Sequence, residues 1–265
     1  MVKKSDITII IPVHKWDDDI KKMFAEAIKS VPAKMKVIVV TTDHSGFEFN
    51  DRKVVVVTSN DGSSFQHLVN LGVKEVKTDW FSILEFDDEY SSIWFDEFIK
   101  YQEYNQQYNI FLPLNDLYSV GDGKDEFVGN GNEAVMAASF SDEIGVIDEK
   151  CLDDYFNFYI PGGLIKTETW NNLGGLKESI KLTFWYEFML RAVHNGEKIY
   201  VVPKVGYAHV LGRSGSLMQQ YRETMTPKES EFWFKQAKKQ SFNKTEKVVE
   251  YNPDANEKGD ENADD

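Results

Sequence analysis

An acidic cluster closes the apolar run ILEFDDE, residues 83 to 89, with Glu85 and Asp87 two positions apart. Carboxylates at that spacing reach one ion if the strand kinks, and such hard oxygen ligands suit magnesium or manganese, which can bridge a diphosphate. The same residues also suit a solvated helix start with Asp88 or Ser91 as N-cap. His209 follows the strand-like stretch KIYVVPKVGYAHV, and a neutral imidazole is a fair manganese ligand. Beyond it, Arg213, Ser214 and Ser216 lie on a glycine-punctuated loop, from which a mobile arginine would neutralise charge on a departing diphosphate. Glu187 is a carboxylate able to take a proton from a hydroxyl, and it equally suits an i, i+4 pair with Arg191. Gly162 and Gly163 after Pro161 allow close backbone approach to a sugar or form a turn, and Trp185 with Tyr186 offers a flat apolar face or core.

These groups need a frame, and the chain reads as alternating strands and helices. Ile7 to Val13 is a buried strand of β-branched residues ended by Pro12, and Asp17 to Asp19 open an amphipathic helix carrying Ile20, Phe24, Ala27, Ile28 and Val31. Strands follow at Lys36 to Thr41 and Val54 to Val57, then a helix at Gln66 to Lys74. A fourth strand, Trp80 to Phe86, runs into the acidic cluster before a helix opening near Ser91. Such alternation predicts an α/β fold with a mostly parallel sheet, whose ligands bind at the carboxyl ends of the strands. Asn115 to Gly131, rich in Gly, Asn and Asp, reads as a long loop. Thr226, Pro227 and Glu229 form a capping box that starts a helix carrying Phe232, Trp233, Phe234 and Ala237, which needs an apolar surface to cover.

At 265 residues and 42% hydrophobic, the chain is long enough for one large core. Its net charge of −14 argues against broad electrostatic binding of nucleic acid. A lone cysteine, Cys151, leaves no intramolecular disulfide and fits a reducing compartment, and the apolar run at Ile7 is too short for a signal or a membrane span, so a cytoplasmic location is expected. The last fourteen residues hold six acids against one lysine and read as a solvated tail. The expected division is a catalytic domain over 1–218, a helical extension over 219–250 and an acidic tail over 251–265.

In order along the chain, five elements resemble glycosyltransferase family 2 over roughly residues 5 to 216. ITIIIPVHK is similar to the family's opening strand, which ends in proline before the nucleotide loop and puts Pro12, Val13 and His14 beside the donor. VIVVTTDHSG resembles the strand ending in two acids; Thr42 replaces the first, and Asp43 matches the one that contacts the donor base. Asn60, Gly62, Asn70 and Gly72 resemble the family's asparagine and glycine pattern, and LEFDD its aspartate-any-aspartate motif with Glu85 in place of the first acid. PGGLIKTETWNNLGGLKES and the segment from Phe184 to Ser216 resemble the acceptor half, with His209 where the family completes its metal shell. The acidic pair ahead of that helix is absent, since Phe184 and Trp185 occupy those places.

This resemblance implies a GT-A fold and inverting transfer of a sugar from a nucleoside-diphosphate donor, a UDP-sugar, to an acceptor hydroxyl. It implies a manganese or magnesium ion held by Asp87, His209 and Glu85, with Glu187 as catalytic base and Asp88 behind it. The donor set is Pro12, Val13, His14, Asp43, Asn60, Gly62, Asn70, Arg213 and Ser214, and the acceptor set Gly162, Gly163 and Trp185. A glycan, a protein or a modified nucleic-acid base is the expected acceptor, and a homo-oligomer is compatible. The competing expectation is a degenerate GT-A module that binds a nucleotide or glycan without turnover. The missing glycine fingerprint in PVHKWDDD sets aside a dinucleotide oxidoreductase.

Overall fold

The structure, a computed structural model, describes residues 1–49, 54–120 and 125–253. The elements in order are β1 (Ile7–Val13), α1 (Asp18–Ser30), β2 (Lys36–Thr42), β3 (Val54–Ser59), α2 (Phe65–Lys74), β4 (Trp80–Ile83), β5 (Glu89–Tyr90), α3 (Trp94–Tyr104), β6 (Ile110–Val120) and β7 (Asp125–Gly131). Then come β8 (Val146–Ile147), α4 (Glu149–Asp154), β9 (Leu164–Lys166), α5 (Thr167–Leu173), α6 (Phe184–His194), β10 (Ile199–Leu211), α7 (Leu217–Thr224) and α8 (Pro227–Gln240).

The sheet runs β3-β2-β1-β4-β9-β6-β10-β5, with β7 beside β6 and β8 beside β10. The β3-β2-β1-β4 half is parallel, as is β6 with β10; β5, β7, β8 and β9 pair antiparallel. β1 is buried along its whole length because helices cover both sheet faces, which is why it reads as a continuous apolar run. Its side chains divide by the two-residue period: Ile10 joins the core under α2, α5 and α6, whereas Ile9 and Ile11 join the core under α1 and α3.

The Thr226 cap read from the sequence forms: it accepts from the Glu229 amide at 3.2 Å, with Pro227 in the first turn of α8. Asp17 caps α1 by accepting from the Ile20 amide at 3.0 Å and Ser64 caps α2 from His67 at 3.1 Å, whereas α3 takes neither Asp88 nor Ser91 as its cap and starts after Ile93 without a side-chain bond. The apolar surface that α8 covers is in the same chain: Trp233 is buried, and Phe234 meets Tyr186 and Phe156.

Two expectations are corrected. The stretch from Asn115 to Gly131 is not a loop: β6 and β7 form an antiparallel hairpin from Asn115 paired with Gly131 to Val120 paired with Asp125. Its Gly and Asn residues depress strand propensity, but the ladder supplies the partners that propensity ignores. The fourth strand stops at Ile83 rather than Phe86, so the acidic cluster lies on a turn. The acidic tail falls, apart from residues 251–253, outside the described residues.

Candidate active site

The turn after β4 is tied down at each end. The Leu84 amide donates to Ile10 O at 2.9 Å, the Asp88 amide to Glu85 O at 3.1 Å, and the Glu85 amide to the Tyr207 hydroxyl at 3.1 Å. Tyr207 is fully buried on β10, so the turn is referenced to the sheet rather than to mobile surface. Gly162 packs directly on that ring: its φ is +81° and an added Cβ would stand 2.4 Å from a Tyr207 ring carbon. Its amide donates to Ile83 O, and its carbonyl accepts from Trp94 Nε1 at 2.8 Å. Gly163 is equally closed in by Leu112 and the backbone of Ile160 and Phe111. Neither glycine is among the residues lining the two cavities described below, and close packing is the physical reason each position is glycine. Gly162→Ala is expected to cost about 3 kcal/mol through positive-φ strain and overpacking, lowering the thermal midpoint. An unchanged midpoint would mean that the Tyr207 contact is not needed.

On this turn the charges pair in a definite order. Asp88, 1% exposed, accepts from the Val210 amide at 2.9 Å and holds His209 Nδ1 at 2.7 Å. Burial alone would lower the His209 pKa, but Asp88, then Glu85 and Asp87, overcome it and raise it to about 9. Asp87 pairs with Arg213 Nε at 2.5 Å, and the Arg213 guanidinium lies 5.0 Å from the Phe86 ring centre. Burial and then Asp88 push Asp87 above the usual carboxylate range, against the pull of Arg213. Glu85 makes no side-chain hydrogen bond or ion pair among the described residues; burial, then Asp88, push it up to about 8.

Two cavities meet here. The smaller, about 180 Å³, is lined by Pro12, His14, Ser63, Ser64, Phe86 and Arg213 among others; the larger, about 370 Å³, by His209, Tyr159, Trp185, Tyr186 and Phe234 among others. Glu85 and Asp87 line both, as do Phe65, Ser216 and Leu217. His14 has a lowered pKa because burial and then Arg213 oppose its charged form, so it faces the smaller cavity as a neutral ring.

The remaining expected residues are scattered. Val13 is buried in β1 and faces neither cavity. Asp43 follows β2 with its carboxylate 3.3 Å from His44, Asn60 is exposed, and Gly62 closes a turn through Ser59 Oγ beside the cavity-lining Ser63. Ser214 is exposed, its carbonyl near Arg213. Asn70 is corrected: its amide group both donates to Leu176 O and accepts from Leu176 N at 2.8 Å, which docks α2 onto the 174–178 turn instead of holding a donor.

Glu187 is corrected most sharply. It is 0% exposed and bound by Arg191 through Nε at 2.9 Å and Nη2 at 2.8 Å, with Lys177 Nζ at 2.9 Å, so it cannot meet an acceptor. Asp88 is likewise no base, since both of its oxygens are engaged. Sequence reasoning missed Phe65, Tyr159 and Arg222 in the cavity walls, because no motif carries them.

Neither a protein-family model nor a curated relative matches the sequence. Solved structures do match. TarS 1–349 of S. aureus in complex with UDP-GlcNAc superposes with a TM-score of 0.56 over 80% of this chain, at 14% identity. The same protein in complex with UDP gives 0.53 over 78% at 15% identity, and TarS without that truncation 0.54 over 77% at 16%. The match covers 60% of TarS 1–349 and 36% of the longer TarS chain. Likeness at this identity speaks for architecture: the chain has the GT-A fold, a central α/β sheet flanked by helices, shared with TarS.

Proposed function

We propose that the chain transfers a sugar from a nucleoside-diphosphate donor, a UDP-sugar, to an acceptor hydroxyl with inversion. The observation that carries this reading is the meeting of two cavities at Glu85 and Asp87. A donor in the smaller cavity and an acceptor in the larger would then present their reacting atoms to the same pair of carboxylates. That the shared fold binds UDP-GlcNAc and UDP in TarS supports the choice of donor.

The residues present fit a divalent cation. Three carboxylates crowd one turn, and burial, then the neighbouring Asp88, push the Glu85 pKa up to about 8. Asp87 and His209 would hold the ion, with Glu85 at its margin; Asp88 on Nδ1 orients the imidazole, and Nε2 would ligate after giving up the proton that the raised pKa of about 9 retains. As the side chains stand, no group of three such ligands is placed to hold an ion among the described residues, and Asp87 is paired with Arg213. Loading therefore requires Arg213 to exchange Asp87 for a donor phosphate. Such an ion supplies charge neutralisation for the leaving diphosphate.

The chain's own residues do the rest. Arg213 holds the diphosphate, and Asp88 orients His209. The ionised form of Glu85, which grows in as pH approaches about 8, accepts the acceptor hydroxyl proton as the new bond forms at the anomeric carbon and the bond to phosphate breaks. A base near neutral pKa suits that step.

The cheapest test is thermal melting with nucleoside diphosphates and UDP-sugars, with and without manganese. A ligand at about a hundred times its dissociation constant adds roughly 2.7 kcal/mol, a shift of several degrees for a domain of this size. The manganese-dependent part of the shift is expected to vanish in Asp87→Asn. No shift with any nucleotide would remove the donor assignment. A second reading, binding without turnover, is favoured by one feature: the start of α6 presents Phe184 and Trp185 to the larger cavity where an acidic pair would serve an acceptor. Absence of nucleoside-diphosphate release despite binding would select it.

A further inference from the structure

The larger cavity has an uneven chemistry. Its wall is aromatic from three separate stretches: Phe156 and Tyr159 after α4, Phe184, Trp185 and Tyr186 on α6, and Phe234 on α8. Phe156 keeps 54% of its surface exposed at the mouth, although Phe234 stacks edge-on to it. The polar groups of the wall are mostly committed elsewhere. The Tyr186 hydroxyl donates to Leu152 O at 2.8 Å, Thr183 Oγ1 to Trp233 O at 2.9 Å, and Gln219 Nε2 to Glu223 at 2.8 Å, while Ser216 Oγ caps α7. An acceptor rich in hydroxyls would leave most of them without partners here, and unmade hydrogen bonds in a desolvated site cost more than apolar contact returns. Besides Glu85, one charged group of this wall is uncommitted among the described residues. Arg222, on α7, lines the cavity, is exposed, and makes no hydrogen bond or ion pair among the described residues, in a chain of net charge −14.

We propose that this cavity takes an acceptor built on a flat apolar ring that carries one anionic group, the ring packing against the aromatic wall and Arg222 holding the anion. The inference rests on the transferase reading in that the acceptor hydroxyl must also reach Glu85. An aryl ring offers the stacking area that this wall supplies, and an arginine fork matches phosphate or carboxylate.

The test is titration calorimetry on the full chain with phenyl phosphate, cyclohexyl phosphate, benzyl alcohol and methyl glucoside, with and without UDP. Phenyl phosphate is expected to bind at least about tenfold more tightly than either the uncharged ring or the non-aromatic phosphate. Arg222→Gln, on an exposed position that leaves folding intact, is expected to remove the advantage over benzyl alcohol. Arg213→Gln is expected to leave it, which places the ligand in the larger cavity rather than the smaller one. Loss in Arg213→Gln but not in Arg222→Gln, tighter binding of methyl glucoside, or no binding of phenyl phosphate at millimolar concentration would each overturn the assignment. Because these are binding measurements on the acceptor side, phenyl phosphate binding together with no nucleotide-induced melting shift would fault the donor reading and not this one.

Discussion

Glu187→Gln is expected to lower the thermal midpoint by roughly 10 °C, and to lower it whether or not any ligand is present. In the folded chain Glu187 neutralises two cations that are themselves out of water, Lys177 at 2% and Arg191 at 0% side-chain exposure. Burial pulls the Lys177 pKa down and Glu187 pushes it back, so the carboxylate is what keeps that ammonium charged. With glutamine in place, Arg191 retains the carbonyls of Leu173 and Gly175, and Lys177 those of Gln240 and Asn243, but both cations lose their counter-charge. Removing one partner of a buried pair costs about 3–5 kcal/mol, far above the few tenths of a surface i, i+4 pair. The loss propagates, because Lys177 pins the segment after α8 and Arg191 pins the turn that Asn70 docks onto α2. Calorimetric unfolding of the variant decides the matter: a midpoint near that of the native chain together with lost sugar transfer would restore Glu187 as a catalytic residue.

How far the sequence carries depends on whether the signal is local. β1, α1 and α8 were legible because the run of β-branched residues, the Asp17 cap and the Thr226-Pro227 start each contain their own cause. The acidic turn was legible as a cluster, and the cavities do converge on Glu85 and Asp87. The β6-β7 hairpin was not, since its pairing partners lie across a turn and its Gly and Asn residues argue locally for a loop. The Arg191 half of the Glu187 pair was visible as i, i+4 spacing. Lys177, arriving from a separate turn, was not, and it is the second cation that makes the pair structural. Asn70 failed in the same way: a motif position says where a residue stands, and only the Leu176 backbone shows what it is occupied with. Arg222 belongs to no motif, and its meaning comes from the aromatic wall that three distant segments build around it.

Glu85→Gln is expected to stabilise the protein at alkaline pH while transfer falls at least about a hundredfold. Burial and the neighbouring Asp88 raise the Glu85 pKa to about 8, whereas in the unfolded chain it titrates as an ordinary carboxylate. Between those values the folded chain holds a proton that the unfolded chain has released, so folding stability falls as pH rises through that window. The contribution is fully present below the ordinary carboxylate range and lost by about pH 8. His209 adds a second descent: its pKa is raised to about 9, so the stability it gains from Asp88 is complete below its ordinary value and lost as pH rises through about 9. Glutamine at 85 removes the first descent and keeps the larger, Asp88 part of the second, losing only what Glu85 adds to the His209 shift. Midpoints measured across pH are therefore expected to coincide for the two proteins below the ordinary carboxylate range and to separate progressively as pH rises to about 8, with the variant higher. A native chain whose midpoint does not fall between mildly acid pH and pH about 8 would contradict the buried-carboxylate account. A variant that gains alkaline stability yet keeps its transfer rate would show that Glu85 is crowded without being the group that takes the proton.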